Sequence, residues 1–457
     1  MTTFFQRVLG RFFGPRPAHA RQAAAPAPVS PSTASAPRTP AADPLPVRAA
    51  ALAARRPLMA PNGEVAGFEF RVSEEVMRQC AHDTDAQAAQ VAAVLVAARL
   101  VALDGRIGFA RLPAAWLTRA AVPRDESGLV LGVEFDAASP VSAAERQAVV
   151  ATLLRFREVG AKLAWDAVRQ PLDAKPDFLL WKPLPSWPLA ELVKAVGARP
   201  ATLQQYPVIA TDLASVEELE SALGGGAHLA SGQLTPQAVA DRTGVLAPEI
   251  GRIARLLAQL SSGADTDVIV RAIKGDVSVS VRLLQRMNSA SFAQLGGVAS
   301  IDQAVPLLGR NDLHRWLSLM MMQFAQARTL SPGLQEVALW RARLLELLAV
   351  ERGEREPGRF FTLGLASMLG AILQIDAPEV ASTLSLPPEA AQALVEGAGP
   401  WYVYLRTAAQ VEDQSADESS AVADGFASAA RVYELSAQAW TWASENMARE
   451  TDAVGVA

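Results

Sequence analysis

Cysteine is almost absent: Cys80 is the only one in 457 residues. A lone cysteine closes no internal disulfide and offers no ligand pair to a metal, so a reducing compartment is expected and Cys80 is read as an ordinary thiol. Long apolar runs are missing too. No uninterrupted stretch reaches the roughly 18 residues that a membrane-spanning helix needs, and the chain is expected to be soluble. Histidine is scarce, and beyond Thr235 there is only His314. A binuclear centre of histidines and aspartates, or a zinc site, cannot be assembled there. Serine catalysis would lean on the same His314 with no third partner in view, so His314 reads as a helix-surface or boundary residue. Basic charge is lacking over most of the chain: residues 1–56 hold eight arginines against Asp43, a formal +7, which leaves −12 for the rest of a chain whose net charge is −5. An acidic body has little to offer nucleic acid, whose affinity comes mainly from phosphate neutralisation.

What is present divides the chain into three. Residues 1–49 form a basic Ala/Pro-rich tail. Its first part, MTTFFQRVLGRFFGPR, sets Phe4, Phe5, Val8, Leu9, Phe12 and Phe13 on one helical side and Arg7 and Arg11 on another. Over residues 3–13 that pattern suits an amphipathic helix on an anionic membrane or a partner; a frayed start, with Gly10 weakening the helix, is the other reading. The two arginines interrupt what would have to be the apolar core of a secretory signal. From Pro15 to Pro46 the composition is that of a flexible or extended linker.

Residues 50–234 alternate. Strand-like runs at Val65–Phe70, Ile107–Leu112, Leu129–Phe135, Ala161–Trp165, Phe178–Trp181 and Val208–Thr211 are separated by helical stretches such as Ala86–Leu103, Ser142–Val159 and Ser215–Leu223. This rhythm implies a parallel sheet, open or closed into a barrel, with functional residues at the strands' C-terminal ends. The His82-Asp83 pair precedes a helix and reads as a polar helix start. The glycines of LGGGAHLASGQL (Leu223–Leu234) lack the Lys and Ser/Thr of a phosphate loop, which leaves a turn before a last strand.

Residues 235–457 are helical throughout. Thr235-Pro236 opens one helix; Ile250, Ile253, Leu257 and Leu260 form an apolar row. Periodicity assigns Val281, Leu284 and Asn288 to one core-facing row and Ile301, Val305 and Leu308 to another. Ser300 with Gln303 fits a capping box, and Gly309 closes that helix. Met320–Met322 and Phe324 read as packed core.

Two resemblances follow. The order LLQRMNSASF, a short link, SIDQAVPLLG and DLHRWLSLMM resembles the signature of the HDOD domain, an all-helical signalling module that lacks the metal ligands of its phosphohydrolase relatives. It makes Asn288, Ser289, Ser300 and Gly309 architectural residues. RRPLMAPNGEVAGFEF, VEF and LAWDAV resemble the EAL phosphodiesterase family, which cleaves cyclic di-GMP with divalent metals. They put Glu69, Glu134 and Asp166 at three of its acidic positions. The remaining positions depart from the pattern: Arg111 stands for a ligand Asn, Ala167 for the second Asp, Leu180 and Lys182 for a Lys and an Asp, Thr211 and Ala214 for two glutamates, and Ser231 for a glutamine. The resemblance therefore implies a degenerate, truncated EAL-type TIM-like barrel followed by an HDOD domain.

The implied function is a non-catalytic scaffold in bacterial signalling, cytoplasmic with peripheral inner-membrane contact through the tail. It needs no cofactor, binds no nucleic acid, and engages other regulatory proteins through its HDOD domain. Glu69, Glu134 and Asp166 are then vestigial carboxylates paired with bases such as Arg111 or Lys182. The alternatives are a cyclic di-GMP receptor, motivated by Arg71 and Arg111, and a weak cyclic di-GMP phosphodiesterase.

Overall fold

The computed structural model describes residues 54–72, 74–122, 128–136, 142–183, 188–234, 248–288, 298–323, 328–384, 386–413, 421 and 424–454. The tail (residues 1–49, with Phe4, Phe5, Arg7, Arg11, Phe12 and Phe13), the helix start at Thr235-Pro236, Ser289 and Phe324 lie outside these residues.

Eight strands close into a barrel in chain order: β1 (Ala54–Met59), β2 (Val65–Arg71), β3 (Ile107–Pro113), β4 (Leu129–Glu134), β5 (Lys162–Trp165), β6 (Phe178–Trp181), β7 (Val208–Leu213) and β8 (Leu229–Gly232). β1 runs antiparallel to β2 and β8, whereas β2 through β8 are parallel. Apolar residues occupy both faces of these strands, as a sheet covered on both sides requires. Leu58, Ile107, Phe109, Val130, Ala164, Phe178, Leu180, Ile209 and Leu229 fill the interior. Alternate residues such as Phe68, Leu131, Leu163, Leu179 and Val208 pack outward. β1 is the strand periodicity passes over, because Arg55, Arg56 and Pro57 break its apolar pattern.

The ring of helices around this sheet is incomplete. It comprises α1 (Glu74–Gln79), α2 (Thr84–Leu103), α3 (Ala114–Leu117), α4 (Ala143–Glu158), α5 (Leu189–Gly197) and α6 (Val216–Gly224). β1 passes to β2 through a tight turn and β5 to β6 through residues 166–177, neither with a helix. All eight strands needed to close the barrel are present, and only its cover of helices is partial. Asp83 caps α2, its carboxylate accepting from the backbone N–H groups of Asp85 and Ala86, so the His82-Asp83 pair is a helix start. The three glycines end α6 and turn into β8, with Gly226 at φ 100°.

The helical region supplies the missing cover. It contains α7 (Pro248–Ser261), α8 (Thr266–Lys274), α9 (Val277–Met287), α10 (Ile301–Leu308), α11 (Arg310–Gln323), α12 (Ser331–Glu351), α13 (Pro357–Leu373), α14 (Ala377–Thr383), α15 (Pro388–Val395), α16 (Tyr402–Asp413) and α17 (Ala429–Val454). Trp440 of α17 meets Phe68 on the outer face of β2 edge-on at 4.6 Å and stacks on Trp340 of α12 at 5.0 Å. Each such buried aromatic contributes roughly 1.5–3 kcal/mol. Arg55 lies over the Phe68 ring at 3.8 Å, and burial, with the nearby Arg106 charge, pushes its pKa down to about 9. Arg106 reaches Glu336 of α12 at 2.7 Å, and the buried Arg328 joins Glu217 and Glu220 of α6 at 3.0 and 2.8 Å. Backbone meets backbone where the Gly333 N–H donates to the Gly63 carbonyl at 2.7 Å.

Two local readings need revision. In α9 the core row is Val279, Leu283 and Met287, whereas Val281 is 48% exposed and Asn288 exposed. Both rows are apolar, and only packing against α8 and α10 selects between them. In α10, Ile301, Val305 and Leu308 are buried as read. Its N-cap Ser300, however, makes no side-chain capping bond, and the Gln303 amide oxygen accepts from Ala299 N–H at 3.3 Å. The box is replaced by a clamp from Asn288, whose amide donates to the Leu284 and Val298 carbonyls and accepts from Val298 N–H, all at 2.8–2.9 Å. Gly309 ends α10 at φ 78°, ψ 159°, a region almost reserved for glycine. Met320, Met321 and Met322 are core.

His314 lies at a boundary, its Nε2 3.1 Å from the Thr362 hydroxyl and its ring edge-on to Phe361. Burial, helped by the Arg315 charge, pushes its pKa down to about 4, against about 6.5 in an unfolded chain. The unfolded state then binds the extra proton first, so stability falls as pH drops from about 6.5 towards 4. His314→Gln is expected to flatten that slope in urea titrations at pH 7 and pH 5; an unchanged slope would contradict the assignment.

Candidate functional site

The parallel strands deliver their C-terminal residues to one mouth of the barrel. Strand register carries Glu69, Arg111, Glu134, Lys182, Thr211 and Ser231 there, with Arg56 paired opposite Glu69 from antiparallel β1. Arg111 is 2% exposed and lies at the centre. Its Nε sits 3.0 Å from Glu69 and 3.3 Å from Glu134, and its two terminal nitrogens bind the two oxygens of Asp212 at 3.1 and 2.9 Å. Ser231 donates its hydroxyl to the other oxygen of Glu69, which is fully buried. Lys182 bridges Glu134 and Asp212, the latter at 2.8 Å.

Asp212 is the hub that sequence reading missed. Besides Arg111 and Lys182 it binds Arg71 at 2.9 Å and faces Arg56 at 3.8 Å. Strict alternation along β7 would turn residue 212 away from the interior, because Thr211 points in. A register irregularity between Ala210 and Leu213, with Asp212 at φ 57°, reverses that direction and sends Leu213 to the outer core. A non-glycine residue in this conformation is strained. An acid directly after Thr211 at a strand end was the available signal.

The electrostatics follow from the geometry. Burial opposes the Arg111 charge, but Glu69, Glu134 and Asp212 outweigh it and hold the guanidinium well above its ordinary pKa. Burial likewise opposes the Asp212 charge, and Arg111 and then Lys182 overcome it, keeping the carboxyl far below the usual carboxylate range. Arg71 is lowered, first by burial and then by Arg111 and Arg56.

Of the three expected acids, Glu69 and Glu134 do pair with Arg111, and Glu134 also with Lys182. Asp166 does not. Its carboxylate accepts from Arg169 N–H at 3.0 Å and lies 3.7 Å from the Arg169 side chain, fastening the loop after β5. The Asp166 position, one residue past the end of β5, is free to follow its own loop.

The network extends into the helical region. Arg56 binds the Asp413 carboxylate and the Glu412 carbonyl, both at 3.2 Å, and Glu412 forms a two-oxygen pair with Arg341 of α12. Four cations at the mouth thus face Glu69, Glu134, Asp212 and Asp413.

The residues present do not fit divalent cations. Hard dications need several free oxygen ligands, and here the carboxylates converge on a guanidinium that fills the space between them. Among the described residues no cluster of three or more His, Cys, Asp and Glu side chains is arranged to hold a metal. Burial, aided by Asp83, raises the pKa of Cys80, the opposite of an activated thiol.

Residues 247–386 match the HDOD domain family. An uncharacterized protein, YuxH, of Bacillus subtilis is 26% identical over 176 residues, 38% of this chain and 43% of that protein. The cyclic di-GMP phosphodiesterase CdgJ of Vibrio cholerae is 27% identical over 135 residues, 29% of this chain and 31% of that protein. The matched stretches therefore span less than half the length of either relative. The solved structure of an EAL domain protein from Listeria monocytogenes is 13% identical with a TM-score of 0.30, covering 41% of this chain and 87% of that one. An eight-stranded barrel followed by a helical region that carries an HDOD domain is consistent with an EAL-HDOD protein.

Proposed function

We propose that the protein is a non-catalytic signalling scaffold that works by binding other regulatory proteins through its HDOD domain. One observation carries this reading: Arg111 occupies the centre of the barrel mouth, engaged by Glu69, Glu134 and Asp212. Phosphodiester hydrolysis assisted by metals needs a Lewis acid and an activated water at such a point. A buried guanidinium there stays charged at every relevant pH and neither ionises water nor yields its place. The barrel then serves as a rigid body against which α12, α16 and α17 are held.

Purified full-length protein incubated with cyclic di-GMP and Mg²⁺ or Mn²⁺ is expected to release no linear dinucleotide. Turnover that Glu69→Ala abolishes would sink the scaffold reading. A second reading is a receptor that binds the dinucleotide intact. It is favoured by Arg71 and Lys182, whose side chains are 23% and 39% exposed at the mouth. Calorimetry decides: a saturable heat lost in Arg71→Ala supports the receptor, and its absence at high ligand concentration removes it.

A further inference from the structure

Barrel helix α2 is apolar on two sides. Its inner side, with Val91, Val94, Leu95, Ala98 and Val101, is buried. Its outer side carries Val96, Leu100 and Leu103, 46%, 58% and 57% exposed, in line with half-buried Ala89 and Ala92. By length and composition α2 could cross a membrane, with a mean hydropathy of 1.7 over its most apolar window. Its packing on the barrel accounts for the inner side alone. Helical spacing makes the outer residues one continuous stripe.

The stripe is too small for a stable pair of copies. Such an interface buries at least about 1,200 Å² in all, and three large side chains per copy fall far short. A tethered occupant needs far less. Residues 1–53 lead into β1 at Ala54, which pairs with Arg71 at the end of β2, and α2 starts at Thr84 shortly after. The tail therefore enters the fold at the same end of the barrel as the start of α2. A linker of about 40 residues reaches roughly 35 Å, comparable with the length of α2, roughly 30 Å. Tethering of this kind gives an effective concentration in the millimolar range.

The tail holds a segment that matches. Phe4, Phe5, Val8, Leu9, Phe12 and Phe13 form an apolar side about 15 Å long as a helix, against about 21 Å from Ala89 to Leu103. Charge agrees as well: residues 1–53 carry six arginines and one acid, and the ends of α2 carry Asp83, Asp85 and Asp104. We propose that residues 4–13 dock along the outer stripe of α2, so that the chain covers its own exposed apolar face with its own amphipathic segment.

The test uses the full chain with Cys80→Ser and paired cysteines. Leu9→Cys with Leu100→Cys is expected to cross-link under a copper phenanthroline oxidant as a monomer, about tenfold or more faster than Leu9→Cys with Val350→Cys. Val350 serves as the control because it is 58% exposed on α12. Equal rates, or products that are only dimers, would overturn the proposal. Independently, Leu100→Glu is expected to speed trypsin cleavage after Arg7 and Arg11 about tenfold without lipid. Cleavage at the unaltered rate, with protection seen only on adding vesicles of phosphatidylcholine and phosphatidylglycerol, would assign the segment to membranes and end the self-docking account.

Discussion

Arg111→Met is expected to lower stability by about 3–5 kcal/mol, the usual consequence of removing one partner from a buried ionic cluster. The arginine is 2% exposed, and without it Glu69, Glu134 and Asp212 face one another across the barrel mouth. Glu69 has no access to water, so repulsion and desolvation act together. Lys182→Met is the control. It touches two of the same carboxylates but is 39% exposed, and pairs with that exposure contribute about 1 kcal/mol or less. Urea midpoints at pH 7 for the two variants settle it; equal losses would show that the mouth is not centred on Arg111. Glu69→Gln in the Arg111→Met background is expected to recover part of the loss.

The same network has an acid limb. The Asp212 carboxyl is lowered in the folded chain, so its stabilisation is fully present above the unfolded value of about 3.9 and is lost as pH falls below it. Asp212→Asn should therefore be less stable than the parent at pH 7 and converge with it in strong acid.

The second large effect lies at the seam between barrel and helices. Gly63 has φ 83°, and a Cβ there would stand 1.9 Å from the Thr329 carbonyl oxygen. Gly63→Ala therefore combines backbone strain with a clash against main chain that cannot rotate away, about 3 kcal/mol or more. Gly333→Ala opposes the same contact from α12, with its Cβ 2.6 Å from the Gly63 carbonyl oxygen and 2.7 Å from the Met59 sulfur. Gly105 is the control: at φ 87° it has nothing within 4 Å of the added atom, so Gly105→Ala carries strain alone, about 1 kcal/mol. Gly63→Ala is expected to lower the urea midpoint more than Gly105→Ala does and to separate barrel and helical unfolding into two transitions. Matching midpoints and a single transition for both would show that the seam yields at little cost.

These expectations rest on features of unequal legibility. Alternation along the strands and the caps of helices are local, so the strand runs, the Asp83 helix start and the rows of α7 and α10 could be read from the chain alone. The α9 row could not, because both of its sides are apolar and the buried one is selected by α8 and α10. The capping box at Ser300 failed for a related reason: Asn288, twelve residues earlier, already holds the link before α10 through Val298.

Glu69, Glu134, Arg111, Lys182 and Ser231 could be named in advance because family order and strand ends both point to them. The amino-acid sequence by itself determined two folded parts and the residue types that stand at the strand ends of the first. Tertiary structure alone decided that Asp212 is the hub, since a bulge and a left-handed residue overturn the period of two that sequence reading depends on. It also decided that Asp166 stands apart and that Arg56 carries the mouth network to Asp413. Contacts between residues more than 350 positions apart leave no periodic trace in the chain; they exist only once the barrel has closed and α16 has packed against β1.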